Sequence, residues 1–408
     1  MDDWAKLPVG GRVKYWRQRR GLSLQLLADR VGKSKSWLEK VERGARVLDK
    51  FSTLYQLATA LQVSVDVLLG RTEGTARVTP VDPIDLDAVR VALTHYAPAT
   101  PPGDAATGPL FHEVARSVTH AWLTLQYARY DVLVRGLPKL LRDVRAAEAH
   151  HRGENAVRAA SLVGQVYQII SSVTRKLGAY DLARLTAERS IDAAQRAGDP
   201  LLSGTGTTRF ADALLAAGND RAAFEANVVM AHRLAPDGPT WADPDRVSVY
   251  GSLLLQAAMA AARRNDSASV SELLREAGRA AETLGAEGNR YWTGFGPTNV
   301  RLHHAAAAVE LGEGREAIAV HNSLSGRSLG TLMPERRAHH LLDLARAFCL
   351  VDDVTSAGET LVEADRLAPA EIRARPVAHD VMATVLRRTK GRPPTLVEHL
   401  SELMGARV

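Results

Sequence analysis

One cysteine, Cys349, stands in a chain of 408 residues. It has no partner for an internal disulfide, and its setting in the apolar run LARAFCLV reads as a small core residue in a reducing cytoplasm. No uninterrupted run of about 18 apolar residues occurs, so a membrane span is not expected. The opening MDDWAKLP is acidic and poor in apolar residues, so no secretory signal is expected either. Catalytic motifs are missing too. His112 and Glu113 with His120 fail the H-E-x-x-H spacing, and the 13 histidines show no ligand cluster with carboxylates at metal spacing along the sequence, so no metal or cofactor is expected. The segment Gly204–Thr208 reads as a loop that lacks the lysine of a phosphate-binding loop, and no G-x-S-x-G is found. The pairs His303–His304 and His339–His340 read as surface or interface residues. These absences point away from an enzyme.

Positive charge is present, and it is confined. Residues 1–70 carry 13 Lys and Arg against 7 Asp and Glu, which leaves 39 of each sign in the remainder and places the whole net charge of +6 in one small module. A basic head on a neutral body is the distribution that polyanion binding requires. Within the head, Ser23 can cap a helix whose Leu24, Leu27, Ala28 and Val31 recur at helical spacing, and Gly32 ends it. Ser34 opens another, with Leu38 and Val41 inward and Lys35, Ser36, Glu39, Lys40 and Arg43 outward. Two helices joined by so short a turn present the second, N-terminal end first, to a DNA major groove. Trp37 reads first as packing on Val13 and Trp16, with a thymine methyl as the other candidate contact.

Residues 9–70 resemble the XRE family of bacterial and phage regulators, related to the lambda and 434 repressors and Cro. The features that carry the resemblance are the start Gly21-Leu22-Ser23, the pair Leu27-Ala28, the turn at Gly32 and the closing Glu42-Arg43-Gly44. The apolar stretch Phe51–Leu61 and SVDVLLG at 64–70 match the last two of five helices. The resemblance implies double-stranded DNA as partner, with Lys35, Ser36 and Lys40 reading bases, Trp37 and Glu39 flanking them, and Arg43 on a phosphate. Ser23, Gln25 and Ser34 complete the implied interface. The family's usual glutamine at the start of the second helix is replaced by Leu24, with Gln25 beside it.

The fold class expected is all-α, a five-helix DNA-binding head (1–72) followed by a tetratricopeptide-like α-solenoid (110–392). A linker with one short helix spans 73–109, and a C-terminal helix or tail spans 393–408. The repeat reading rests on hairpin turns at Gly178–Asp181, Gly218–Asp220, Asn265–Asp266, Gly312–Gly314 and Asp352–Asp353, each followed by an alanine-rich helix. Intervals of 39, 46, 47 and 40 residues between the acidic markers Asp181, Asp220, Asp266, Glu313 and Asp353 mean a solenoid. A first pair around Trp122–Val144 makes about six, with Pro200, Pro236 and Pro369 where a repeat must stop.

Such a superhelix has a concave groove. Its richest candidate lining is the stretch Tyr291–His303, with Trp292, Phe295, Asn299 and His303, and Arg209, Asn227, Trp241 and Tyr250 follow on adjacent repeats. The competing reading makes Trp292 and Phe295 inter-repeat core and Thr298 a helix cap. This stretch, with Glu371–Pro376, is similar to actinobacterial XRE regulators with repeat-like C-terminal halves, and the domain order is that of Gram-positive peptide-pheromone receptors. The function expected is a cytoplasmic, homodimeric transcriptional regulator that senses a peptide or small-molecule effector. The alternative is a scaffold whose repeats bind a protein such as a sigma or antisigma factor. Amides and aromatics in the groove would favour the first, a broad charged concave face the second.

Overall fold

Serine hydroxyls start the two helices on which the head depends. In the computed structural model, which describes residues 7–20, 22–46, 51–61, 83–94, 110–235 and 243–406 with single positions 48, 63, 68 and 81, Ser23 Oγ accepts from Leu26 N and Ser34 Oγ from Trp37 N, each at 3.1 Å. These caps satisfy amides that have no partner inside the helix. The head helices are Val9–Arg19, Leu24–Arg30, Lys35–Glu42 and Phe51–Leu61. Leu27, Ala28, Val31, Leu38 and Val41 are buried as expected, and Val13, Leu57, Ala58, Leu61 and Leu68 complete the core. Leu68 apart, the expected fifth helix lies outside the described residues. A Cβ at Gly10 would sit 2.0 Å from the Val41 carbonyl oxygen, so only glycine lets the first helix cross the third this closely. Arg17 then ties the two together through two bonds to the Glu42 carboxylate, at 2.6 and 2.9 Å.

The chain divides into two units, one ending at Val78 and the other starting at Thr79. The second is a series of helical hairpins: Phe111–Gln126 with Tyr130–His150, Glu154–Lys176 with Tyr180–Arg196, Pro200–Ala216 with Asp220–Leu234, Pro244–Arg263 with Ser267–Leu284, Pro297–Glu310 with Gly314–Asn322, and Pro334–Leu350 with Val354–Leu367. Helices Pro376–Arg388 and Thr395–Met404 close the series. Every hairpin turns in the same way. One residue takes a left-handed conformation, at Ala128, Gly178, Gly218, Asn265, Gly312 and Asp352 in turn. The next amide bonds back to the carbonyl five residues earlier, at 2.8–3.0 Å, which satisfies the helix's last free acceptors. All five turns read from the sequence are hairpin turns. Pro200 and Pro369 occupy first helical positions, and Pro236 lies outside the described residues.

Two expectations are corrected. Gly204–Thr208 is the middle of helix Pro200–Ala216, not a loop. Gly204 admits Val249 and Leu234, which a Cβ would meet at 2.6 and 2.8 Å, and the hydroxyls of Thr205, Thr207 and Thr208 bond back to carbonyls of their own helix. The second correction concerns the groove. The repeats wind until the first hairpins meet the last, so the concave face closes on itself. Gln126 and Asn289 exchange two hydrogen bonds at 2.9 and 3.1 Å across 163 positions, and Tyr130 OH bonds the Glu371 carboxylate across 241.

Helix Pro83–Thr94, read as part of a linker, packs on the body through Val89 and Leu93. Its last turn is capped from outside, Arg145 donating to the Ala92 carbonyl at 3.1 Å and Arg189 to that of Leu93 at 3.0 Å. Among the described residues, no helix is long and apolar enough to cross a membrane.

Candidate functional sites

Burying Leu38 and Val41 turns the opposite side of the third head helix outward. Lys35, Ser36, Glu39 and Lys40 are exposed on it, and Arg43 is exposed at its C-cap. Ser23 and Ser34 are exposed but spend an acceptor on capping, while Gln25 Nε2 donates to Asp29 Oδ1 at 2.8 Å. Trp37 is half-buried against the head core. Lys33 Nζ and the Arg46 guanidinium each lie 6.0 Å from its ring centre, a cation–π arrangement. These two cations were missed by sequence reasoning, because they flank the helix instead of lying within its period. Together the five cations and one acid make a positive, sterically open face of the size a major groove admits.

The inner side of the body holds a partly open cavity of about 420 Å³. Trp292, Asn299, His303 and Arg209, four of the predicted effector residues, line it. Trp292 stacks on Trp122 with ring centres 5.4 Å apart and planes 12° from parallel. Both indole N–H groups donate to Gln165 Oε1, at 3.3 and 3.2 Å. The backbone is strained to bring this about, since Tyr291 and Trp292 take φ of 47° and 59°, a region that costs a non-glycine residue about 1–3 kcal/mol. Asn299 Oδ1 accepts from Arg336 Nε at 2.7 Å. His303 Nδ1 lies 2.9 Å from the Asn299 carbonyl oxygen and 3.0 Å from Arg336 Nη2. Burial, followed by the charge of Arg336, pushes the pKa of His303 down to about 3, so the ring is neutral at physiological pH.

Beside them, Lys176 Nζ lies 3.0 Å from both oxygens of Glu371 and also pairs with Glu335. Arg375 and Tyr130 complete the coordination of Glu371. Burial works against the Glu335 carboxylate, yet Lys176 with Arg336 and Arg375 holds its pKa down at about 2. Against the sequence expectation of no histidine–carboxylate cluster, the fold brings Glu335, His339 and Glu371 to the spacing of metal ligands from positions distant in sequence, but the Lys176 ammonium already fills the place of a cation between the carboxylates.

A helix-turn-helix domain family matches residues 9–69. The HTH-type transcriptional regulator SinR of Bacillus subtilis (strain 168) is 33% identical over 86 residues, 21% of this chain and 78% of that protein. The chain belongs to the helix-turn-helix transcriptional regulators. SinR of Bacillus licheniformis is 34% identical over 67 residues, 16% of this chain, which spans 60% of that regulator's length. Two solved structures align weakly over a longer stretch. Bacillus thuringiensis PlcR in complex with the peptide PapR7 and DNA shares 13% identity over 68% of this chain and 95% of its own, at a TM-score of 0.26. ComR from S. thermophilus, in complex with DNA and its signalling peptide ComS, shares 14% over 93% and 99%, at 0.24. Scores this low do not define a common fold for the body.

As a regulator of this family, the chain carries candidate residues in its body that the fold scatters. Asn227 is fully buried on the outer helix of its hairpin, bonded to the Ala223 carbonyl at 3.0 Å, and Tyr250 packs among the apolar residues around Phe295. Neither lines the cavity. At about 100° per residue, Tyr250 lies off the face of its helix that carries Gln256, Met259 and Arg263 to the cavity. Phe295 is core, its ring filling the space a Cβ would take on Gly251, and the cap of helix Pro297–Glu310 is Glu287, accepting from Thr298 N at 2.6 Å. Trp241 lies outside the described residues. His303 and His340 are buried, not surface residues. Arg175, Lys176, Asp212, Glu335 and Arg336 escaped notice, although charged residues on the inward period of alanine-rich helices were the available signal.

Proposed function

We propose that the chain is an XRE-type, sequence-specific DNA-binding regulator whose tetratricopeptide-like body takes a peptide or small-molecule effector in its cavity and pairs two copies. The observation that carries the reading is the exposed cationic face of Lys35, Ser36, Lys40 and Arg43 on a capped third helix, within the stretch the family model matches. In this reading Lys35 and Lys40 donate to base acceptors and Arg43 to a phosphate. A partly open cavity with an amide, an imidazole and stacked indoles supports an effector over a protein partner, which would need a broad open face. Pairing follows from energetics, because one head offers few base contacts and operators commonly place half-sites about one helical turn apart. A ligand acts by preferring one arrangement of linked heads over another.

Footprinting across the genome of the native host tests the first half. Discrete protected sites are expected, and uniform occupancy contradicts the reading. Effector control is tested on those sites, with Asn299→Ala and His303→Ala expected to lose the response to cell extract while keeping basal DNA affinity. A response intact in both variants places the effector elsewhere.

A further inference from the structure

Among the charged groups around the cavity, only one holds more cations than carboxylates. Lys176 and Arg375 are matched by Glu335 and Glu371. Arg263 and Arg346 meet three carboxylates: Glu310, at 3.6 and 2.9 Å, Asp343, 3.3 Å from Arg346, and Asp220, 4.0 Å from Arg263. Glu287 is committed through Oε1 to the N-terminus of helix Pro297–Glu310, where the helix dipole offsets part of its charge. What remains is Arg175, Arg209 and Arg336 with one carboxylate, Asp212. Its Oδ2 lies 3.8 Å from Arg175 and 3.7 Å from Arg209, beyond hydrogen-bond distance. The Nε atoms of Arg175 and Arg209 are buried with no hydrogen-bond partner. Arg336 turns only two of its five donors to partners, the neutral Asn299 and His303. Burial lowers the pKa of Arg209 and of Arg336, the mark of guanidiniums whose solvation is not fully replaced.

Three guanidiniums around Asp212, with Glu335 shared between Arg336 and Lys176, leave a local excess of positive charge in a semi-enclosed space, which folding alone does not favour. We infer that the cavity binds a small organic anion, whose carboxylate or phosphate sits among Arg175, Arg209 and Arg336 while its apolar part lies toward Trp122 and Trp292. This rests on the reading of the cavity as the effector site and narrows it to a chemistry. The volume of about 420 Å³ is near the lower end of the roughly 300–1,000 Å³ of ligand pockets, which fits a small molecule better than a long extended peptide. Guanidinium forks suit either oxyanion, since both accept paired N–H donors.

Thermal unfolding of the full-length protein, at matched ionic strength, separates the outcomes. The probes are phenylacetate, its neutral isostere phenylacetamide, phenyl phosphate and inorganic phosphate. At least one of the anions should raise the melting temperature and phenylacetamide should not, and the more effective of phenylacetate and phenyl phosphate identifies the headgroup. Arg209→Gln, which leaves Asp212 paired with Arg175, should melt about a degree or more above wild type without ligand and bind the effective anion at least about tenfold more weakly. Arg175→Gln should behave alike and serves if the first variant does not fold. The inference is overturned by equal stabilisation from phenylacetamide, by no stabilisation from any of the three anions, or by variants that melt lower and keep the anion response. Should it fail while Asn299→Ala still abolishes the operator response, the anion chemistry falls and the effector reading stands.

Discussion

His303 and His340 make the body sensitive to acid in a way that follows from their burial. Each is pushed from about 6.5 down to about 3, burial being the larger cause in both. Between those values the unfolded chain binds protons that the folded chain does not, so the stability these residues contribute is complete above about pH 6.5 and is lost as the pH falls toward 3. Each unmatched proton adds a slope of about 1.4 kcal/mol per pH unit. Urea unfolding between pH 6.5 and 5 should therefore show a steep loss of stability, and His303→Gln should remove about one proton's worth of slope. An unchanged slope in the variant would mean that the ring is charged in the folded protein. The residue scale was also where the sequence was least informative about the cavity. Asn299 and His303 stood out as polar residues beside aromatics, but their partner Arg336 lies 37 and 33 positions away, and no local pattern links them.

At the scale of elements, much more was readable. Ser23 and Ser34 announce helix starts because a hydroxyl one residue before an apolar period has a specific backbone amide to satisfy. The hairpin turns at Gly178, Gly218 and Gly312 were readable because a left-handed residue is required there, and those at Asn265 and Asp352 because such side chains tolerate it. Gly204–Thr208 misled for the same reason in reverse, its turn-forming residues being spent on close helix packing. Ala128 is the exception among the turns, with φ of 53° and no side chain that eases the conformation. Ala128→Gly should thus stabilise the protein by about 1 kcal/mol, measured as a rise in urea midpoint at constant slope. A fall in midpoint would show that the glycine's greater freedom in the unfolded chain outweighs the strain relieved.

For the whole molecule, the decisive feature is that the repeats close, and this was not readable at all. Periodicity predicts that hairpins stack but not after how many the inner faces meet, since closure depends on a small rotation accumulated at each interface. The contacts that hold it join residues up to 241 positions apart. Lys176 is the centre of that closure, so Lys176→Met should leave Glu371 buried beside one fewer cation and cost about 3–5 kcal/mol. Urea unfolding followed by circular dichroism reads the loss, and an unchanged midpoint would mean that the closure contributes nothing to stability.

The central claim is that the head reads DNA sequence through one face of its third helix. Selection by the full-length protein from a random-sequence duplex pool at low salt, followed by affinity measurements on the enriched site, tests it most directly. The account predicts a defined enriched motif, an affinity that falls linearly in log salt, a loss of about 1–3 kcal/mol for Lys35→Ala or Lys40→Ala on that motif only, and a uniform weakening on all sequences for Arg43→Ala. No enrichment at all, or equal losses on every sequence for all three variants, would contradict it.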